Sequence, residues 1–134
     1  MDNARLQAAI AEFFAPWVQA LDLQVESSDA ARVCLRLPVN AAVSRVGGIL
    51  CGQAMMAAAD TAMALALMRH FGEFRPCTTV QMSSTFVRPL SNQDGLVEAS
   101  IVRAGKSLVF GEVDLRGASD AKSVYRASLT YALI

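Results

Sequence analysis

Residues 52–71 read Gly52-Gln53-Ala54-Met55-Met56-Ala57-Ala58-Ala59-Asp60-Thr61-Ala62-Met63-Ala64-Leu65-Ala66-Leu67-Met68-Arg69-His70-Phe71. Ala, Met and Leu are strong helix formers, and Gly72 follows as a C-terminal stop. From Ile49 to Met68 the sole formal charge is Asp60. A helix that is apolar on every side belongs in a large core or in a membrane. A stretch of about 20 residues is long enough to span a bilayer. A central Asp costs roughly 2.5–3.5 kcal/mol there, and so much Ala compensates weakly. The sequence on both sides alternates like half-buried strands, which need a shared core. The expected architecture is therefore α+β: a curved antiparallel sheet wrapped around one long central helix.

Upstream, Asn3 to Phe14 reads as a short helix, with Leu6, Ala9, Ile10, Phe13 and Phe14 near one face. Pro16 is expected to end or bend it. Leu21 to Glu26 and Ala31 to Leu37 alternate as a strand pair around the turn-rich Glu26-Ser27-Ser28-Asp29. Asn40 to Gly48 reads as an irregular loop. Downstream lie four strand-like runs: Thr78 to Val87, Leu96 to Arg103, Leu108 to Arg116 and Ser123 to Leu133. Tyr125, Ala127, Leu129, Tyr131 and Leu133 oppose Arg126, Ser128 and Thr130. Such one-sided alternation indicates antiparallel strands with one solvated face.

A chain of 134 residues suits one domain. Its 54% hydrophobic content is high for that length and suggests a large interface between copies. Lys+Arg and Asp+Glu balance at 12 each, and no basic block interleaves with aromatics, so nothing indicates nucleic acid. The first residues lack the pattern of a secretory signal. Three cysteines (Cys34, Cys51, Cys77) form no CxxC, which argues against a disulfide framework or a zinc site. Reduced thiols and a cytoplasmic location are expected, with no metal and no cofactor. A Ser-His-Asp triad could use only His70, the single histidine.

Asp60 is the most informative residue. Buried carboxylates are costly unless satisfied. Asp60 is therefore either a structural group meeting an Arg or a backbone donor, or a functional carboxylate in an apolar cleft. Gly48 to Gly52 leads into the helix start, where free amides can hold a developing oxyanion. Gly52 and Asp60 are about 12 Å apart along the helix, too far for one small reacting group. Two such helices, antiparallel about a two-fold axis, would bring Asp60 of one chain to the Gly52 end of the other.

The run from Gly48 through Cys51-Gly52-Gln53 to Asp60-Thr61-Ala62 resembles the signature of PaaI-type hotdog thioesterases, the phenylacetic-acid-degradation and acyl-CoA thioesterase group. Thr85-Phe86-Val87-Arg88-Pro89-Leu90 and Gly105-Lys106-Ser107-Leu108 are similar to further family segments. The likeness covers about Ala41 to the C-terminus. It implies a hotdog fold in a dimer or dimer of dimers, and an acyl-CoA or aryl-CoA substrate. It also implies a general base or nucleophile at Asp60, an oxyanion-holding amide at the partner's Gly52, and a water-positioning hydroxyl at Thr79. Basic residues near strand ends, Arg88, Arg103 and Lys106, would meet the CoA phosphates. Two positions depart from the pattern. Cys51, a weak donor, stands for the His of His-Gly-Gly, and Arg45 for an Asn that contacts the thioester in some relatives. Both are expected to line the substrate site.

Other readings compete at several positions. Cys51 is either a thiol activated at a helix start or a small buried residue. His70, at the helix end, suits a surface position favoured by the dipole. Cys34 and Cys77 read as strand packing. Phe13, Phe14 and Trp17 read as core or interface, with an acyl pocket as the alternative. A hotdog hydratase needs a His beside its carboxylate, and His70 lies about 15 Å past Asp60. A non-catalytic acyl-CoA-binding hotdog protein is the remaining alternative.

Overall fold

Helix α1 (Asn3–Phe13) begins at Asp2, whose side chain accepts the Arg5 amide at 2.8 Å, the bond an N-cap makes. Pro16 does more than end it. It opens a second helix, α2 (Pro16–Gln19), at the one helical position where a missing N–H is harmless. The chain then turns at Asp22, with φ 58, so the first strand starts later than expected, as β1 (Gln24–Ser28). β2 (Arg32–Leu37) follows. The expected loop holds a single 3-10 turn, Ala41–Val43, and a short ladder of β3 (Ser44–Arg45) with β4 (Ile49–Leu50). Gly47 and Gly48, at φ 93 and 75, make the turn between them. Such angles favour glycine.

Helix α3 (Gly52–Phe71) has the expected bounds, and Gly72 caps it in the left-handed conformation. Four long strands complete the chain: β5 (Cys77–Phe86), β6 (Gly95–Ala104), β7 (Leu108–Gly117) and β8 (Ser123–Leu133). This computed structural model describes all of residues 1–134. The main sheet runs β1-β2-β6-β7-β8-β5, every neighbour antiparallel.

α3 lies across the inner face of that sheet. Val33, Leu35, Val97, Val113 and Leu129 of the strands share one core with Ala58, Ala62, Met63 and Leu65 of the helix, all of them buried. At Gly111 an added Cβ would lie 2.2 Å from the Met63 sulfur, so the helix side chain uses the space that glycine leaves. This is the hotdog arrangement. No helix is long and apolar enough to cross a membrane.

The two sheet edges differ. β1 is guarded by α1: Gln7 donates to the Leu23 carbonyl at 2.9 Å and accepts the Val25 amide at 2.7 Å. β5 pairs only with β8, and its other side is open along ten residues. Beside it α3 presents a stripe the sheet leaves uncovered: Gln53, Met56, Ala57, Asp60 and Ala64 are exposed or half-buried.

Candidate active site

Asp60 sits on that stripe, half-buried, with no ion-pair partner. Its Oδ1 is held from two strands. The Thr79 hydroxyl donates to it at 2.8 Å, and the Tyr131 phenol reaches the same oxygen. The phenol also lies 2.6 Å from the Asp60 backbone carbonyl. Thr79 and Tyr131 are cross-strand partners on β5 and β8, so one register positions both donors. Burial foremost, and then the Asp60 charge, push the Tyr131 phenol well above its ordinary range, so it stays a proton donor at neutral pH. Cys77, on the same wall, is likewise pushed up by burial and by Asp60. It remains a thiol rather than a thiolate.

A cavity of about 330 Å³ opens from Asp60 and Thr79. It follows α3 past Ala64 to Met68, about 12 Å along the helix. Phe13, Phe14, Trp17 and Phe74 supply much of its wall. Phe13 and Phe74 stack at 4.2 Å with their planes 6° apart. The three early aromatics thus surround the cavity that ends on Asp60, and Cys77 lines it rather than simply packing in a strand.

Gly52 opens α3. The first amide to bond within the helix is that of Met55, to the Cys51 carbonyl at 3.3 Å, so the amides of Gly52, Gln53 and Ala54 precede the ladder. The approach is anchored by Leu50 N–H to the Leu90 carbonyl and Cys51 N–H to the Val43 carbonyl, both at 2.9 Å. Cys51 makes no side-chain capping bond. The missing Cβ of Gly52 leaves room for Phe86, whose ring would stand 3.0 Å from such an atom. A second cavity, of about 410 Å³, is bordered here by Arg45, Gly52, Phe86 and Arg88.

Some residues singled out in the sequence come together and others do not. Asp60 meets Thr79, and Gly52 shares a cavity with Arg45 and Arg88. Within one chain, Gly52 and Asp60 stay eight helical residues apart. Arg88, Arg103 and Lys106 do not form the expected single cluster. β5 and β6 run in opposite directions. Arg88 follows one end of the sheet, while Arg103 pairs with Phe110 near the other and Lys106 lies in the adjoining turn. The ends are about 30 Å apart. His70 is exposed at the end of α3, its Nδ1 3.2 Å from the Ala30 carbonyl. Sequence reading missed Tyr131, because an inward Tyr in an alternating strand has the same pattern as a core residue.

A family model described as the thioesterase superfamily matches residues 47–124, from the turn before β4 into β8. The chain belongs to the thioesterase superfamily. The esterase candidate Ta0293 of Thermoplasma acidophilum is 26% identical to it over 97 residues, 72% of this chain and 73% of that protein. A thioesterase candidate of Silicibacter sp. TM1040 superposes with a TM-score of 0.90 at 26% identity, covering 100% of this chain and 92% of its own. A mutant thioesterase from Pseudomonas aeruginosa gives 0.86 at 19% identity, covering 100% and 94%, a likeness that speaks to fold alone. Membership of the superfamily supports thioester hydrolysis as the class of reaction.

Proposed function

We propose that this superfamily member is a PaaI-type thioesterase, a single hotdog unit over residues 1–134, that hydrolyses acyl-CoA or aryl-CoA esters at a site completed by a second copy. The observation that carries this reading is Asp60: an unpaired carboxylate, one oxygen held by Thr79 and Tyr131, at the mouth of a largely apolar cavity. The cavity takes the acyl group. Asp60, as general base, removes a proton from water, and the water oxygen bonds to the thioester carbonyl. The carbonyl oxygen, now negative, needs preorganised amides. When it collapses, the carbon–sulfur bond breaks and CoA leaves with the proton held by Asp60.

Those amides are at Gly52, and the open edge of β5 supplies the means of reaching them. Unguarded edge strands pair with other chains. A two-fold axis across β5 near Met82 sets Thr79 of one chain opposite Phe86 of its partner. Phe86 packs on Gly52 of its own chain, so the partner's helix start arrives beside Asp60. The same operation brings the partner's Arg45 and Arg88 toward the end of the sheet that carries Arg103 and Lys106. The divided basic residues thus become two sides of one CoA path, with Cys51 near the thioester.

The test is thiol release from a panel of CoA esters. It also separates hydrolysis from a non-catalytic acyl-CoA-binding role, which the non-capping thiol of Cys51 favours. Turnover by the wild-type protein is expected, and tight binding without any thiol release would overturn the reading. In the Arg88→Ala/Arg103→Ala/Lys106→Ala protein, KM should rise more than kcat falls, because remote phosphates are held equally in ground and transition states. The effect should shrink at high salt. An unchanged KM would remove these residues from the CoA path.

A further inference from the structure

The phenol of Tyr131 lies within reach of two oxygens of one residue, the Asp60 carboxylate Oδ1 and the Asp60 backbone carbonyl. One phenol proton cannot serve both at once. The carboxylate oxygen is further fixed by Thr79, which leaves Oδ2 free of protein donors. We infer that Tyr131 is a positioning residue that holds Asp60 in one orientation through both of its protonation states, keeping Oδ2 on the reacting water. This rests on the proposal that Asp60 is the general base.

The chemistry follows from the inventory of donors. While Asp60 is ionised, the phenol donates to Oδ1. After Oδ2 has taken the water proton, Oδ1 is the carbonyl oxygen of the acid and still accepts from the phenol, more weakly than the carboxylate did. The phenol stays bonded in both states and neither moves the carboxyl group. A Phe in this place would offer nothing in either state. Tyr131 is buried, so water is poorly placed to substitute for it. Since burial keeps the phenol protonated, Tyr131 donates in both states and needs no ionisation of its own.

The other ionisable groups facing Asp60 are Cys77 on β5, Tyr125 on β8 and Arg75 on the cavity wall. Cys77 and Tyr125 are both shifted toward their neutral forms by burial first and by Asp60. The Arg75 guanidinium is turned to the Phe71 ring, 4.4 Å from its centroid. None of the three hydrogen-bonds to the Asp60 carboxylate, so a change at position 131 is read without a competing donor.

The experiment is the pH profile of kcat/KM for thioester hydrolysis in Tyr131→Phe, with Asp60→Asn in the same assay. Loss of a donor to an ionised carboxylate favours its protonated form. The acid limb should therefore move to higher pH by about half a unit to one unit. At the optimum, kcat should fall about tenfold with KM little changed. A folded Tyr131→Phe protein with wild-type kcat and an unmoved acid limb overturns the inference, while a dead Asp60→Asn leaves the general-base reading standing. Activity retained in Asp60→Asn overturns both. Should Tyr131→Phe fail to fold, a ring-fluorinated tyrosine decides the matter. The chain has two tyrosines, so in a Tyr125→Phe background the label enters position 131 alone. The more acidic phenol donates more strongly, and the acid limb should move to lower pH than in the unlabelled parent. A limb that stays in place overturns the inference.

Discussion

Asp60→Asn should lower kcat for thioester hydrolysis by at least about a hundredfold, the usual consequence of losing a general base. The substitution is chosen because it changes so little else. Asn keeps an Oδ1 acceptor for the Thr79 hydroxyl and the Tyr131 phenol, which both point there now. It keeps the helix and the cavity mouth. What it removes is the ability to take a proton. Stability should stay level or rise slightly, because a half-buried charge without a counter-ion is no longer desolvated. Thermal unfolding and the thiol-release rate, measured on the same preparation, check both parts. Full activity in well-folded Asp60→Asn would dismiss the carboxylate from the chemistry.

Met82→Lys should produce a folded but inactive monomer. Met82 lies on β5, half-exposed, near the point where the proposed two-fold axis crosses. The register that sets Thr79 opposite Phe86 makes the two copies of Met82 diagonal neighbours across the axis, so the substitution brings two ammonium groups close together on an edge that must pair. Lysine is also the residue with which natural edge strands refuse partners. Light scattering should then give the 14.3 kDa chain mass instead of the dimer or tetramer expected of the wild type. Asp60, Thr79 and Tyr131 stay together within one chain. Activity should nonetheless fall about a hundredfold or more, the scale associated with an absent oxyanion donor. A fully active monomer would mean that one chain suffices.

Much of this molecule is legible from its residues, and the illegible parts have physical causes. The bounds of α3 follow from a run of strong helix formers that ends in Gly72. The later strands follow from alternation, which survives because one face meets the helix and the other meets water. Pro16 is ambiguous in the sequence, since the same residue ends one helix and begins another. The resulting α2 displaces the first strand toward Gln24. Strand order is set by pairings far apart in sequence, such as β2 with β6, and no local pattern records them. That is why Arg88 and Arg103 look like neighbours at strand ends and lie at opposite ends of the sheet. Asp60 stands out as a lone charge in an apolar helix. Thr79 is reached only through the family resemblance, and Tyr131 is hidden because its inward position looks the same whether its hydroxyl is used or not.

The central claim is a site shared between chains, and mixed dimers test it most directly. One chain carries Asp60→Asn. The other carries Gly52→Pro, which removes the amide at the first helical position, where proline is otherwise tolerated. Phe86 must shift slightly, since it already borders the space of a Cβ at Gly52. Each homodimer should be nearly inactive, because both of its sites lack one element. In the mixed dimer, the Gly52→Pro chain supplies an intact Asp60 and the Asp60→Asn chain an intact Gly52 amide. These form one complete site, and the second site lacks both. Thiol release from the purified mixed dimer should return to about half the wild-type rate per dimer, as one of two symmetric sites is restored. Well-folded mixed dimers that remain as inactive as their parents would contradict the shared site.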